Sequence, residues 1–142
     1  MKITITLEYD EKELFKMEET KVEKGDSLEP SQYAKVFDES CIGWSNDHEY
    51  NLMFLKQQQA CANAKLRVRK HLLLNEVYDQ LGIPRTKAGT VVGWVYDEKN
   101  PIGDNFVDFN IYNDRNQAFI NGYCETAILD FNVDGDISKY LD

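Results

Sequence analysis

A chain of 142 residues with 42% hydrophobic and 12% aromatic residues can bury a core without an external staple, and we predict a single domain over residues 1–142. The formal net charge of −9 disfavours general nucleic-acid binding, because an acidic surface repels phosphate. The longest apolar runs are too short to cross a bilayer, so we expect no membrane segment in this chain, and three widely spaced cysteines favour packed free thiols in a reducing compartment.

The first predicted elements are two strands. Residues 3–9 alternate apolar and polar side chains, which is the period-two pattern of a half-buried strand. Together with a weaker, more charged return they predict an N-terminal hairpin over residues 1–23. Residues 24–30 have the composition of a linker, and residues 31–37 favour a short helix that begins after a proline.

One long helix, residues 47–81, dominates a helical part that spans residues 31–81. Asn46 and Glu49 have the spacing of a capping box, and Gly82 would end the helix in the left-handed conformation. At about 1.5 Å per residue this helix would be roughly 50 Å long, so it would kink or project. Two apolar stripes are predicted to face the core, one made of Tyr50, Phe54, Cys61, Val68 and Leu72 and the other of Leu66, Leu73, Val77 and Leu81.

Residues 82–137 are predicted to be rich in strands. The segments 90–96 and 105–112 are aromatic and β-branched, and the turn between them contains proline and glycine, so we predict a β-hairpin. Residues 113–121 favour a short helix, and residues 127–133 alternate as a final strand. The predicted fold class is α+β: a mainly antiparallel sheet of about five strands packed on one long helix plus short helices.

A segment near the C-terminus resembles the opening of a calcium loop. Oxygen-bearing side chains recur at alternate positions around a glycine, which suits the oxygen ligands of calcium: Asp130, Asn132, Asp134 and Asp136. The twelfth position, where such a loop has a bidentate acid, is Leu141. The alternative is a strand that ends in an Asp-Gly turn. We expect no cofactor, and calcium is the exception that this segment would allow.

A second group of acids surrounds the predicted hairpin. If these side chains converged, they would bind magnesium or supply a general acid and base, since neighbouring carboxylates separate each other's pKa values. The group consists of Asp97, Glu98, Asp104, Asp108 and Asp114. The alternative is that they serve the backbone of the turn.

A basic surface is the third candidate. Residues 50–75 contain five bases and no acids, in a chain that is acidic at both ends. A surface of this kind would bind an acidic partner, a lipid or a phosphate, and its candidate residues are Arg67, Arg69, Lys70, Arg85 and Lys87. The alternative is that these charges balance the acidic ends of the chain itself.

Several segments resemble one uncharacterised family. They are YAKVFDE (33–39), EYNLMFL (49–55), the run 73–112, the tripeptide NGY (121–123) and LDFNVDG (129–135). The match is to the C-terminal soluble region of the DUF6353 family, which occurs in phages, prophages and mobile elements of Gram-positive bacteria. The resemblance implies a location in the host-cell cytoplasm. It implies no activity, and the membrane-inserted segment found upstream in many relatives has no counterpart here.

Three hypotheses follow for function. The resemblance and the lack of a recognisable catalytic motif favour a non-enzymatic phage or mobile-element accessory protein that acts through protein–protein contacts and self-associates through the long helix or a sheet edge. The first alternative is an anti-defence protein that sequesters a host factor or a signalling nucleotide. The second is a metal-dependent hydrolase built on the aspartate cluster.

Overall fold

The computed structural model describes residues 29–141. Contacts divide the chain into residues 1–31 and residues 32–142, and every element named below belongs to the second unit. The predicted N-terminal hairpin lies outside the described residues, as does most of the linker. Among the residues described, two small antiparallel sheets accompany three α-helices, so the α+β class is confirmed.

The described part of the chain contains five strands and three α-helices. They are β1 (Lys35–Phe37), α1 (His48–Arg69), β2 (His71–Leu73), α2 (Leu74–Leu81), β3 (Val92–Val95), α3 (Gln117–Ile120), β4 (Ala127–Leu129) and β5 (Gly135–Asp136). One sheet pairs β1 with β4, with Val36 opposite Ile128. The other has β3 in the centre between β2 and β5, with Leu72 opposite Trp94 and Gly93 opposite both Leu73 and Gly135.

The start of α1 is fixed by a side-chain cap. Asp47, one residue after the predicted cap, accepts hydrogen bonds at Oδ1 from the backbone N–H groups of Glu49 at 3.0 Å and Tyr50 at 3.2 Å. These bonds satisfy donors that have no partner within the helix. Glu49 is an acid in the first turn, where the helix dipole favours it.

The end of α1 corrects the predicted single helix 47–81. Lys70 takes a left-handed conformation with φ 71°, and its N–H donates to the Leu66 carbonyl. The chain then enters β2, where Leu72 is fully buried opposite Trp94. Pairing with a distant strand outweighs local helix propensity here, and the sequence contains no glycine or proline to announce the break.

A second helix, α2, begins directly after β2. The Glu76 carboxylate accepts the Leu73 N–H at 3.0 Å and both guanidinium branches of Arg69, at 2.7 and 3.0 Å. One side chain therefore ties the last turn of α1 to the first turn of α2. Gly82 ends α2 with φ 74°, as predicted.

The inward face of α1 differs from the first predicted stripe. Its buried residues are Asn51, Leu55, Ala62 and Leu66. Of the first stripe, Tyr50, Cys61 and Val68 are exposed. This part of the prediction was wrong because the inward face also carries amide side chains, so hydrophobicity alone did not mark it. In the second stripe, Leu66, Val77 and Leu81 are buried, as predicted.

The prediction of a β-hairpin is also wrong. Strand β3 pairs with β2 and β5, whereas residues 105–112 form no regular strand, and Asn105 and Asn110 there have positive φ angles of 62° and 56°. The segment instead runs beside the chain after β4. The N–H groups of Asp130 and Asn132 donate to the carbonyls of Phe109 and Asp108, at 3.1 and 3.2 Å.

At five places an asparagine side chain pairs with the backbone of another residue, through the two hydrogen bonds that a neighbouring strand would otherwise make. In each, Oδ1 accepts the N–H of one residue and Nδ2 donates to the carbonyl of that same residue, at 2.7 to 3.2 Å. We call these amide clamps; they join Asn51 to Ser45, Asn63 to Val107, Asn75 to Thr86, Asn105 to Asp97 and Asn116 to Ile128. They satisfy backbone groups that would otherwise lack a partner in irregular segments.

Residues 31–37, predicted as a helix, contain strand β1 instead, and Phe37 is fully buried. The strand forms because it can pair with β4. The strand predicted over residues 127–133 is confirmed for β4 alone, residues 127–129, and Ala127, Leu129 and Phe131 are buried as the alternation predicted. The short helix predicted within residues 113–121 is confirmed as a 3₁₀ turn that leads into α3.

Aromatic rings connect the elements inside the core. Phe131 makes edge contacts with Phe109 and Tyr78, at centroid distances of 5.3 and 5.7 Å. The Tyr78 hydroxyl donates to the Tyr33 carbonyl at 2.9 Å, and burial raises its pKa to about 12.

Of the three free cysteines only Cys41 is packed inside. The other two are exposed, so the prediction of packed thiols is wrong for them.

Candidate functional site

The side of α1 that faces away from the core carries few charges. We define the outward face of α1 by its exposed residues Glu49, Met53, Lys56, Gln57, Ala60, Ala64, Arg67 and Val68. Their spacing of three and four residues places them on one side of the helix, opposite Leu55, Ala62 and Leu66. Met53 is 51% exposed and Val68 79% exposed. A surface helix normally shows a polar outer side, so apolar residues on both sides distinguish α1.

A shallow apolar groove of about 470 Å³ runs along the first half of this face. Its lining residues are Glu49, Leu52, Met53, Lys56, Gln57 and Ala60. Ala60 leaves the groove open because it has no side chain beyond Cβ. The Lys56 ammonium lies 5.9 Å from the centre of the Tyr112 ring, a cation–π contact with an exposed tyrosine beside the helix.

The charges of the outward face lie mainly at its two ends. Glu49 stands in the first helical turn and Arg67 in the last. These positions suit the helix dipole, which favours an acid at the N-terminus and a base at the C-terminus. Uncharged side chains and Lys56 occupy the face between them.

A second groove, of about 700 Å³, lies where the end of α1 meets β2 and β3. We call it the sheet-edge groove; its lining residues are Arg69, Lys70, His71, Val95, Tyr96, Asp97, Glu98, Lys99, Tyr140 and Leu141. The Lys70 ammonium lies 4.9 Å from the centre of the Tyr96 ring. The Tyr96 N–H donates to the Lys70 carbonyl at 2.9 Å, so a backbone hydrogen bond just beyond the end of β3 keeps these two residues adjacent.

The structure brings only two of the five predicted basic residues into this groove, Arg69 and Lys70. Arg67 is exposed on the outward face of α1 and Lys87 precedes a 3₁₀ turn. Arg85 makes a forked contact with Asp79, at 2.7 and 3.1 Å. The hydrogen bond from Arg85 lowers the pKa of the Asp79 carboxyl.

Asn132, a predicted calcium ligand, lies at the centre of a hydrogen-bond network. Its Oδ1 accepts the Trp94 indole N–H at 2.9 Å and the Asp108 N–H at 2.7 Å. Its Nδ2 donates to the Phe106 carbonyl at 2.9 Å and to Asp104 Oδ2 at 3.0 Å. The amide therefore joins β3 to the irregular segment, which is a structural role.

The three aspartates of the predicted calcium loop each have another partner. Asp130 lies 3.7 Å from the guanidinium of Arg115, and Asp136 accepts both the N–H and the hydroxyl of Ser138, which lowers its pKa. Asp134 accepts the Val95 N–H at 2.9 Å. Burial raises the pKa of Asp134, and the nearby Asp104 charge raises it further.

These contacts give the residues of the predicted loop other partners within the fold. Gly135 and Asp136 form β5, which pairs with β3 through Gly93 and Val92, whereas residues 130–134 form no regular strand. Within residues 29–141 no three His, Cys, Asp or Glu side chains are grouped so as to hold a metal.

Of the acids predicted around the hairpin, Asp97 accepts hydrogen bonds from the backbone N–H groups of Lys99 and Asn100, and Asp108 accepts one from that of Asn110.

The sequence did not predict the outward face of α1 or the amide clamps. Cys61 and Val68 were placed in a core stripe, whereas the buried positions Leu55, Ala62 and Leu66 follow a heptad-like spacing that marks the inward side. The polar run of residues 56–63 was a signal for the Asn63 clamp alone. Gln59 and Asn63 in that run bind the backbone of Phe109 and Val107.

Comparison with known proteins identifies a family for this chain but no activity. No match was found among curated proteins or among solved structures. In the part of the chain that is described, no helix combines the length and the hydropathy that crossing a membrane requires. A family model matches residues 4–141, which is nearly the whole sequence, and this chain therefore belongs to the family of unknown function DUF6353.

Proposed function

We propose that this protein is a non-enzymatic accessory protein of a phage or mobile element, and that it acts in the host-cell cytoplasm by contact with another protein. The phage context comes from the resemblance of segments such as YAKVFDE and LDFNVDG. The contact surface is the outward face of α1. The observation that carries the proposal is the exposure of Met53, Ala60, Ala64 and Val68 along one side of a helix whose opposite side is already buried in the core.

Burial of this face would stabilise a complex by the hydrophobic effect. Met53 and Val68 each keep half or more of their surface in water, and covering them would contribute roughly 1 kcal/mol or more apiece. The small side chains between them let a partner approach the helix closely. The groove beside Met53 supplies a recess for a side chain of the partner.

A photo-crosslinking experiment in cells tests this proposal. A photoreactive residue at position 60 should give a discrete adduct with a protein, and Met53→Glu should remove that adduct because it places a charge in the groove. A photoreactive residue at Ala88, exposed on a 3₁₀ turn outside α1, is the positional control. Gln117→Glu, an exposed change of the same kind in α3, is the matched charge control and should leave the adduct intact.

Equal adducts from positions 60 and 88 would contradict the proposal, as would an adduct at position 60 that survives Met53→Glu. The melting temperature of each variant separates loss of contact from loss of fold. We expect Met53→Glu to change stability by less than about 0.5 kcal/mol, since the side chain is exposed.

A second candidate function rests on the sheet-edge groove. Its volume lies in the range of small-molecule sites, and its lining combines two tyrosine rings with the cations Arg69, Lys70 and Lys99, beside the acids Asp97 and Glu98. Rings and ammonium groups together suit a phosphorylated planar ligand, because the ring would stack while the phosphate pairs with lysine. This chemistry corresponds to sequestration of a signalling nucleotide.

Titration with AMP, adenosine and inorganic phosphate tests the second candidate. We expect saturable binding of AMP, weaker binding of the other two, and at least a tenfold loss of AMP affinity in Lys99→Ala, since removing a charge-assisted hydrogen bond costs about 1.5–3 kcal/mol. Lys87→Ala, outside the groove, should bind like the unchanged protein. If calorimetry shows no saturable AMP binding at millimolar concentration, the sequestration function is wrong.

A further inference from the structure

The charges at the two ends of the outward face of α1 identify a partner. We propose that this face binds a second copy of the same chain, with the two α1 helices antiparallel about a two-fold axis. The inference rests on the proposed function, because it names the protein that the same surface would contact. A two-fold contact uses the same patch on both copies, so the patch must be complementary to itself.

Glu49 and Arg67 make the face self-complementary. Eighteen positions separate them, which is about 27 Å along the helix. In an antiparallel pair centred between Gln57 and Ala60, Glu49 of each copy meets Arg67 of the other at both ends. A parallel pair would instead set Glu49 against Glu49 and Arg67 against Arg67, so the charges select the antiparallel arrangement.

The uncharged residues fit the same register. Met53 of one copy lies opposite Ala64 of the other, so a long side chain meets a short one at two symmetric places. Ala60 lies near the axis, where the helices come closest. Helix pairs with small residues at the crossing approach to about 8 Å, whereas bulky residues keep them further apart. Both Met53 and Ala64 are exposed in the single chain.

Lys56 does not oppose this arrangement. It is the charged side chain nearest the centre of the face, and its ammonium lies against the Tyr112 ring beside the helix, 5.9 Å from the ring centre. In the antiparallel register it faces the small side chains Ala60 and Cys61 of the second copy.

The size of the face sets the expected strength. One side of a 22-residue helix buries less surface than the interface of a permanent dimer. We therefore expect a dimer that forms reversibly, with a dissociation constant on the order of 10–100 μM. Two symmetric ion pairs at exposed ends would contribute modestly and would weaken with added salt.

Charge reversal tests the register. Sedimentation velocity from about 10 μM to about 1 mM should show the fraction of dimer rising with concentration for the unchanged protein. Glu49→Arg and Arg67→Glu should each weaken association at least tenfold, because each places like charges at both ends of the interface. The double variant, with both changes, should recover association to within about threefold of the unchanged protein.

Glu125→Arg makes the same change of charge in an exposed loop outside α1 and should leave association as it was. Circular dichroism checks that each variant keeps its helices, since reversing a charge at a helix end opposes the helix dipole. Failure of the double variant to recover, with intact helices, would contradict the antiparallel register.

A protein that stays monomeric to about 1 mM would overturn the inference entirely. It would leave the proposed function standing if position 60 still gave a Met53-dependent adduct with a protein of a different mass. The masses of the adducts therefore distinguish failure of this inference from failure of the proposed function.

Discussion

Replacing Asn116 with Asp should lower the free energy of unfolding by about 3–5 kcal/mol at pH 7, a large part of the 5–15 kcal/mol typical of a domain. Asn116 is only 2% exposed. Its Nδ2 donates to the carbonyls of Ile128 at 2.9 Å, Ile111 at 3.2 Å and Asn110 at 3.3 Å. A carboxylate there would present an oxygen to three carbonyl oxygens and would be buried without a counterion.

The loss of stability should depend on pH. Burial and the facing carbonyls would raise the pKa of the new carboxyl in the folded state above its value of about 3.9 in the unfolded chain. The folded state then binds more protons than the unfolded state between the two pKa values, so the variant loses stability relative to the unchanged protein as pH rises through that window. Towards pH 4 the two proteins should differ less.

Urea unfolding of both proteins at pH 7 and near pH 4.5 measures this difference. Asn100→Asp, in an exposed turn, is the control and should change the free energy of unfolding by less than about 0.5 kcal/mol. If both variants lost the same amount, the Asn116 clamp would not have the importance that its four hydrogen bonds indicate.

Replacing Gly93 with Ala should cost about 3 kcal/mol. A Cβ atom at this position would overlap the Leu72 carbonyl oxygen and would lie 2.9 Å from Leu73 Cα. These neighbours are backbone atoms of β2, so no side chain can rotate away. Strand β3 is paired on its other side with β5 through the same glycine, and the clash must therefore separate β3 from β2.

Gly135→Ala provides the comparison for this prediction. Nothing lies within 4 Å of a Cβ built at Gly135, but its φ of 111° is unfavourable for alanine, so we expect a smaller loss of about 1–2 kcal/mol. Urea unfolding gives both values, and hydrogen exchange should show protection of the β2 amides lost only in Gly93→Ala. A larger loss in Gly135→Ala would show that backbone conformation matters more here than the contact between strands.

Local signals in the sequence predicted local structure. Gly82 marked the end of α2, and the alternation from Ala127 onward marked the buried positions in β4 and just after it. The start of α1 was predicted within one residue, because a capping side chain acts on the backbone immediately after it. Each of these features depends on residues that are close together in the chain.

Features that depend on distant residues were missed. The break at Lys70 exists because β2 finds a partner in β3, more than twenty positions further along. The segment 105–112 has the composition of a strand, but left-handed Asn105 and Asn110 interrupt it, and two of its backbone N–H groups donate to amides on α1. Composition does not show whether an asparagine will take a left-handed angle or bind a distant backbone.

The candidate site was predicted in the same partial way. The lack of acids between residues 50 and 75 was visible in the sequence, and it includes most of the outward face of α1. Which side of α1 faces outward was not visible, since apolar residues lie on both sides. Leu55 and Leu66 lie on the buried side together with amide side chains, which sequence patterns assign to the surface.

Two amide contacts between α1 and the segment 105–112 have a kinetic consequence. Asn63 and Val107 are 44 positions apart, and Gln59 and Phe109 are 50 apart, so a long loop must close before either pair can form. We expect these bonds to form after the rate-limiting step of folding. Interactions of that kind slow unfolding while leaving the folding rate nearly unchanged. In this protein, polar amides would therefore set the lifetime of the native state, a role more often attributed to the apolar core.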